Sequence, residues 1–249
     1  MSESDTVTLT VFGNERCVTT RAALEEAARH ITAKAQRRAE EAKSPPLLTY
    51  PARPIQGGKL ELAPMKRGVW FAEPKLNGWR ALVHTPSGTM WNRHGSRLTI
   101  AHCFREALDD LRALADEGLL WADCEALERR HNVARGTLIV LDAIPASPIF
   151  TPAYTERRAF LESLSIPQEL YSSGLHKGSE WPLLLTTSRM VCSQNELHAF
   201  YSRLRRANSR LGCDFFEGVV MKRGGSAYPI QLRGSTEECR GWVKHRFVH

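Results

Sequence analysis

A lysine that could act as a nucleophile lies in residues 73–80, which read EPKLNGWR. A lysine amine reacts poorly while protonated, and a nearby cation, a metal ion or burial favours its neutral form. Arg80 is a candidate for that cation, and Gly78 lets the backbone approach a ligand closely. The segment is equally compatible with a surface turn that carries solvated charges. Lys75 is therefore a candidate covalent nucleophile that needs support from elsewhere in the chain.

A second charged segment, residues 217–222, reads EGVVMK. Its apolar run predicts a strand with Glu217 and Lys222 at its ends. A carboxylate can bind a divalent metal, and a lysine can contact a phosphate oxygen. Taken alone, the segment is better explained as an ordinary strand with charged ends.

A third segment, residues 242–246, reads WVKHR near the end of the sequence. On a strand, Trp242, Lys244 and Arg246 share one face because side chains alternate. This face would form a small cationic strip suited to an α-phosphate or a DNA backbone. The alternative is a basic C-terminal tail without a site.

In this order and spacing, the three segments resemble the signature of the covalent nucleotidyltransferases, which include ATP-dependent DNA ligases, RNA ligases and capping enzymes. The family's KxDGxR motif reads KLNGWR here, its EGVVxK motif reads EGVVMK, and its WxKxK motif reads WVKHR. Residues 91–95 (WNRHG) resemble the family's SRxG segment, and residues 123–125 (DCE) resemble its DGE segment. Residues 228–233 are similar to bacterial DNA ligases in particular. The resemblance covers residues 47–249.

The resemblance implies an ATP-dependent polynucleotide ligase, with DNA as the favoured substrate. Lys75 would form a lysyl-AMP intermediate and pass the AMP to a 5′-phosphate for nick sealing. The implied cofactors are ATP and Mg²⁺, with Glu217 as the metal-binding carboxylate. Glu73 would read the adenine amino group. The implied nucleotide-binding residues are Glu73, Arg80, Arg93, Glu125, Lys222, Lys244 and Arg246.

Several positions depart from the family pattern. Asn77 replaces the usual aspartate, keeping its size but not its charge. Leu138 and Leu141 are aliphatic where the family often has an adenine-stacking aromatic, and Arg246 replaces a lysine. The sequence ends at His249 without the OB domain that usually follows, so a partner protein supplying that role is one expectation. An RNA ligase and a non-catalytic module that binds nucleotides or nucleic-acid ends remain as alternatives.

The hydrophobic pattern between residues 47 and 249 predicts the helices and strands that carry these residues. Strands and helices are interspersed without a βαβ rhythm, which predicts an α+β fold with antiparallel sheets. The resemblance implies that this fold is a nucleotidyltransferase domain whose antiparallel sheets are flanked by helices. Residues 1–46 predict a strand over 6–12 and a helix over 21–43 that form an N-terminal accessory segment. The predicted strands of the main domain are 69–73, 79–84, 89–92, 119–127, 137–144, 215–222 and 242–247, and the predicted helices are 104–115, 154–164 and 194–211.

Composition restricts the class of protein. The net charge is +7 and the pI is about 9.3, which favours contact with nucleic acid. No apolar run is long enough for a membrane span, and the polar, acidic N-terminus does not resemble a secretory signal. These features predict a cytoplasmic protein. The six cysteines are scattered without metal-ligand spacing, so we expect neither structural zinc nor a disulfide framework.

Overall fold

The computed structural model describes residues 7–11, 14–18, 25–26, 29, 32, 50–51, 53–63, 65, 68–128, 130, 132–145, 151–168, 181–231 and 238–247. The chain divides into two compact units, Met1–Pro46 and Leu47–His249. No helix in the described part is long and apolar enough to cross a membrane.

The first unit contains an antiparallel hairpin of strands β1 (Val7–Val11) and β2 (Asn14–Val18). The predicted strand over residues 6–12 agrees with β1, whereas β2 was not predicted because its residues are mostly polar. Residues 25, 26, 29 and 32 are helical, as expected for the helix predicted over 21–43. The rest of that predicted helix lies outside the described residues.

The second unit is built from twelve strands and three α-helices among its described residues. The strands are β3 (Tyr50–Pro51), β4 (Arg53–Gln56), β5 (Trp70–Leu76), β6 (Trp79–His84), β7 (Thr89–Asn92), β8 (Trp121–Leu127), β9 (Thr137–Ala143), β10 (Leu183–Leu185), β11 (Arg189–Val191), β12 (Phe216–Arg223), β13 (Ile230–Gln231) and β14 (Glu238–Arg246). The helices are α1 (Arg105–Ala115), α2 (Tyr154–Ser163) and α3 (Gln194–Leu211), with 3₁₀ turns at Leu60–Leu62 and Ala101–Phe104.

Two five-stranded sheets form the body of this unit. The first has the order β10-β9-β8-β6-β7, and the second has the order β11-β5-β12-β14-β4. Within them, β10 pairs with β9 and β14 pairs with β4 in parallel, and the other neighbours are antiparallel. The α+β prediction is confirmed, and its expectation of antiparallel sheets is corrected for these two edge pairs.

The helices cover one face of each sheet. Leu108 and Leu111 of α1 are buried in one core cluster with residues of the first sheet, and Leu197 and Leu204 of α3 are buried in another with residues of the second. A third cluster joins residues of both sheets, including Leu82 from β6 and Trp242 from β14. The core that contains α3 also includes Leu127, Ile139 and Leu184 of the first sheet, so the two sheets pack partly against each other. The part of these faces that is not packed lines a cavity that is a candidate site.

Side-chain alternation along β12 decides which residues reach that site. Val219 and Met221 are buried in the core that contains α3. Val220 and Lys222, which alternate with them, line a cavity instead. Alternate side chains of the EGVVMK segment therefore point into the core and into the cavity.

Candidate active site

A cavity of about 520 Å³ is lined by β5, β6, β8, β12 and β14. This volume lies in the range of pockets that bind small molecules and cofactors. The structure brings all the candidate site residues together around it. They are Lys75, Glu73, Arg80, Arg93, Glu125, Glu217, Lys222, Lys244 and Arg246.

Lys75 lies inside β5 rather than after it, one residue before the strand ends. It pairs in register with Gly218 of β12, which brings the neighbouring Glu217 close. The Nζ atom of Lys75 donates a hydrogen bond to the Glu217 carboxylate and forms an ion pair with it. The nucleophile candidate and the metal-ligand candidate are therefore direct partners.

Gly218 is required by the close approach of β12 to β14. Its φ is +144°, and a Cβ atom there would lie 2.0 Å from the carbonyl oxygen of His245. A side chain cannot be accommodated that near to backbone. The glycine that follows Glu217 therefore permits the strand pairing that brings Glu217 to Lys75.

Two arginines share Glu217 with Lys75. Nη2 of Arg246 lies 3.4 Å from Oε2 of Glu217, and Nη1 of Arg130 lies 3.8 Å from Oε1. The two arginine side chains are 55% and 50% exposed. Three cations thus surround one carboxylate at the exposed end of the cavity. Arg130 was not predicted from the sequence, because it belongs to no matched motif.

Asn77, where the family pattern has aspartate, uses both halves of its amide. Its Nδ2 donates to the carbonyl oxygen of Asp214 at 2.9 Å, and its Oδ1 accepts from Nη1 of Arg130 at 3.1 Å. An aspartate could accept from Arg130 but could not donate to a carbonyl. The local partners therefore match asparagine.

Arg80 is not an unpaired cation. Its guanidinium donates to both carboxylate oxygens of Asp123, at 2.8 and 2.5 Å, and the Tyr228 hydroxyl donates to the same carboxylate at 3.0 Å. Burial opposes the charge of Arg80, but Asp123 outweighs it and holds the pKa of the guanidinium above its usual value. The sequence named Arg80 as a candidate cation near Lys75, and in the structure the charge of Arg80 is matched by Asp123.

Glu125 extends from β8 toward the turn that follows Lys75. Its Oε1 accepts a hydrogen bond from the Gly78 N–H at 2.9 Å. Burial raises the pKa of Glu125 to about 7, although Lys75 and Arg80 oppose the shift. A Cβ atom on Gly78 would lie 2.8 Å from Cγ of Glu125, so this glycine also makes room for the carboxylate.

The buried end of the cavity holds Lys222, which is 2% exposed. Its Nζ lies 3.0 Å from Oε2 of Glu73 and 3.2 Å from Oδ2 of Asp142, and it donates to the carbonyl oxygen of Leu141 at 2.9 Å. The ring of Trp242 lies 4.3 Å from the same nitrogen. Lys222 is therefore compensated on several sides by the protein itself.

Helix α2 supplies a further layer behind Lys222. The Tyr154 hydroxyl donates to Glu73, and the Arg157 guanidinium donates to both oxygens of Asp142 at 2.8 and 3.1 Å. Burial raises the pKa of Glu73, whereas Lys222 and Arg157 outweigh burial at Asp142 and lower its pKa. Asp142, Tyr154 and Arg157 were not predicted as site residues. Of these three, Asp142 alone had a signal in the sequence, because it is a charged residue at the end of the largely apolar run 137–142.

The remaining candidates also reach the cavity. Arg93 lines it and donates from Nε to Nε2 of the neighbouring His94 at 3.1 Å. Lys244 lines it from β14, opposite Val220 in register. Trp242, Lys244 and Arg246 therefore share the face that the sequence predicted for them.

The strand expected to carry an adenine-stacking aromatic presents an aliphatic side chain. Leu141 lines the cavity, whereas Leu138 is buried in the core that contains α1. The aromatic side chains that line the cavity are Trp79 and Trp242. Leu138 therefore has no place in the site.

The carboxylates of the cavity suit a metal ion that is bound jointly by the protein and a ligand. They do not suit a metal ion that protein side chains bind alone. Within the described residues, no group of three or more His, Cys, Asp or Glu side chains could hold a metal ion. Mg²⁺ commonly uses one or two carboxylates together with substrate phosphates and water. Glu217 at the exposed end satisfies that smaller requirement.

Comparisons with known proteins identify the fold. Neither a protein-family model nor a curated protein sequence matches the chain. A solved structure named Pmar-Lig_PreS3 is 17% identical with a TM-score of 0.52, over 78% of this chain and 46% of that one. The related Pmar-Lig_Pre is 16% identical with a TM-score of 0.51 over the same shares. The chain thus spans about half the length of these two proteins.

The crystal structure of Chlorella virus DNA ligase-adenylate is also similar. It is 16% identical with a TM-score of 0.51, over 80% of this chain and 69% of that one. At these identities the likeness establishes the fold. The chain has the fold of the adenylation domain of ATP-dependent polynucleotide ligases.

Proposed function

We propose that this chain is an ATP-dependent polynucleotide ligase that acts through a covalent lysyl-AMP intermediate on Lys75. In this proposal, Leu47–His249 is the nucleotidyltransferase domain and Met1–Pro46 is an accessory segment. The observation that carries the proposal is the distribution of charge along the cavity, because it matches the two chemically different halves of ATP.

The charges of the buried end are balanced. Lys222 and Arg157 are paired with Glu73 and Asp142, which gives two positive and two negative charges. A balanced, hydrogen-bonded surface suits an uncharged nucleoside, which gains from shape and fixed polar groups. Glu73 and Glu125 are the proposed contacts to adenine and ribose, as the family pattern implies.

The exposed end has an excess of positive charge. Lys75, Arg130 and Arg246 surround the single carboxylate of Glu217, which leaves two charges uncompensated within this group. Such a group suits a triphosphate, because nucleotidyl transfer depends on cationic stabilisation of phosphate oxygens. Lys75 is one member of this group, so the nucleophile would meet the phosphates.

The proposed first step is attack by the neutral amine of Lys75 on the α-phosphorus of ATP. The N–P bond forms as the bond from the α-phosphorus to the oxygen bridging to the β-phosphate breaks. Pyrophosphate leaves with that electron pair, and the amine releases a proton. Glu217, which accepts a hydrogen bond from Nζ, would orient the amine, and the released proton would pass to water. Lys222 and Lys244 are proposed to stabilise the α-phosphate oxygens.

ATP and Mg²⁺ are the proposed cofactors, and Glu217 is the residue that would hold the cation. When bound, Mg²⁺ neutralises charge on the triphosphate and on the leaving pyrophosphate. In the later steps, a 5′-phosphate oxygen takes the AMP from Lys75, and a 3′-hydroxyl then displaces AMP to form the phosphodiester. Nicked DNA is the proposed substrate, because the similar Chlorella virus structure is that of a DNA ligase.

The experiment is incubation with ATP labelled at the α-phosphate, followed by a denaturing gel. We expect label that survives denaturation in the wild type and is absent from Lys75→Ala. ATP labelled at the γ-phosphate is the matched control and should leave no label, because pyrophosphate departs. Nicked DNA and nicked RNA duplexes then distinguish the two ligase types. Absence of α-label with Mg²⁺ and a nicked duplex present would contradict the proposal and favour a non-catalytic binding module.

A further inference from the structure

Arg130 lies outside every segment matched to the family pattern, yet it contacts two site residues. It follows β8 in the chain and lines the cavity. Its Nη1 donates to Oδ1 of Asn77 at 3.1 Å and lies 3.8 Å from Oε1 of Glu217. The side chain is half exposed, so a ligand in the cavity can reach its guanidinium.

The charge of Arg130 is weakly matched by the protein. Glu217 lies in contact with Lys75 and nearer to Arg246 than to Arg130. Among the described residues, the guanidinium also contacts the neutral amide of Asn77. By comparison, Arg135 is similarly exposed but lies 2.7 Å from the Glu128 carboxylate, and it is not among the residues that line the cavity.

Asn77 orients the guanidinium of Arg130 through a neutral amide and therefore does not cancel its positive charge. The amide is fixed by its bond to the carbonyl oxygen of Asp214, and its oxygen orients the guanidinium. An aspartate at this position would form an ion pair with Arg130 and reduce its attraction for an anion. Asparagine therefore leaves an oriented cation at the exposed end of the cavity.

We propose that Arg130 is the residue that binds the β- and γ-phosphates of ATP, and that Asn77 is the positioning residue that keeps it available. A guanidinium can donate two parallel hydrogen bonds to phosphate oxygens. Arg130 would thus recognise the part of ATP that leaves as pyrophosphate. This inference rests on the proposed function and adds the residue that distinguishes ATP from AMP.

The test compares binding of ATP and AMP, with Mg²⁺, by calorimetry in the full chain carrying Lys75→Ala, so that no covalent bond forms. Adding Arg130→Ala should weaken ATP binding about tenfold or more, because a charged hydrogen bond is lost. AMP binding should change by less than about twofold, since it lacks these phosphates. Arg135→Ala is the matched control and should change neither affinity.

The role of Asn77 has its own comparison. Asn77→Asp should weaken ATP binding while Arg130 is present and should have a smaller effect once Arg130 is replaced by alanine. Equal effects of Asn77→Asp in both backgrounds would overturn the positioning role.

Two results would overturn the phosphate contact. One is an equal loss of ATP and AMP affinity in Arg130→Ala, and the other is an ATP affinity matching that of Arg135→Ala. Weaker binding of nicked DNA with unchanged ATP affinity would assign Arg130 to the nucleic acid instead. Labelling of Lys75 shows which of the two proposals fails. If the ATP affinity depends on Arg130 but Lys75 is not labelled, the ligase function is contradicted and the phosphate contact is not. Labelling with an Arg130-independent ATP affinity contradicts this inference alone.

Discussion

Replacing Lys222 by methionine tests whether the buried end of the cavity is an ionic network or only a packed core. Methionine keeps an unbranched side chain but removes the ammonium group. Asp142 would retain the two hydrogen bonds from Arg157, whereas Glu73 would retain only the hydroxyl of Tyr154. The carboxylate of Glu73 is therefore the group left without a compensating charge.

The expected loss of stability is large because Glu73 is buried. Removing one partner of a buried ion pair typically costs about 3–5 kcal/mol. For a chain of this length, 1 kcal/mol corresponds to roughly 2–4 °C in Tm, so Lys222→Met should lower Tm by about 6–20 °C. Thermal and urea unfolding measure this loss directly.

A double-mutant cycle separates the charge from the packing. Glu73→Gln removes the charge but leaves an oxygen that can accept from Tyr154. In the Lys222→Met background, this second change should be less destabilising than in the wild type, with a coupling energy of about 1–3 kcal/mol. Strictly additive free energies of unfolding would contradict an ionic interaction between Lys222 and Glu73.

The pH dependence gives an independent check on the same variant. Burial already raises the pKa of Glu73 in the folded protein, and loss of Lys222 should raise it further. The folded state then binds a proton more tightly than the unfolded state, so stability is lost as pH rises through the folded pKa. The deficit of Lys222→Met should therefore be smaller at mildly acidic pH than at mildly alkaline pH. An equal loss of stability at both pH values would contradict the expectation that Lys222→Met leaves the Glu73 carboxylate without a compensating charge.

Two further predictions concern other parts of the cavity. Because burial raises the pKa of Glu125 to about 7, adenosine affinity should increase as pH rises through that value and the carboxylate ionises, and Glu125→Gln should remove this dependence in calorimetric titrations. Gly218→Ala would place a Cβ atom 2.0 Å from the His245 carbonyl oxygen, so we expect a loss of about 3 kcal/mol or more in urea unfolding. Gly225→Ala, with nothing within 4 Å of its Cβ position, is the control, and equal stability of the two variants would contradict this account.

Elements with strong local signals could be predicted from the sequence. The bounds of α3 agree with the structure because both ends carry their own signals. Ser193 accepts a hydrogen bond from the Glu196 N–H at the start, and Gly212 adopts a left-handed conformation at the end. The strands β6 and β7 also have their predicted bounds. In contrast, β10 and β11 were missed because three residues are too few to establish a period.

The candidate site was predictable as a set of residues but not as a set of contacts. The order of the motifs predicted nine residues, and the structure brings them around one cavity, where their roles stay predictions. Their partners depend on tertiary structure. Asn77 meets the backbone of Asp214, and Lys222 meets Asp142, each across a long stretch of chain. Neither local propensity nor spacing contains that information.

The distribution of charge connects the stability of the protein with the ligand preference proposed for it. At the buried end, Lys222 is already paired with carboxylates, so folding itself organises this surface before a nucleoside arrives. At the exposed end, Lys75, Arg130 and Arg246 repel one another around a single carboxylate. In the proposed function, a polyphosphate that neutralises these groups would relieve that repulsion. The groups proposed to select a polyphosphate are therefore the same groups whose repulsion its binding would reduce.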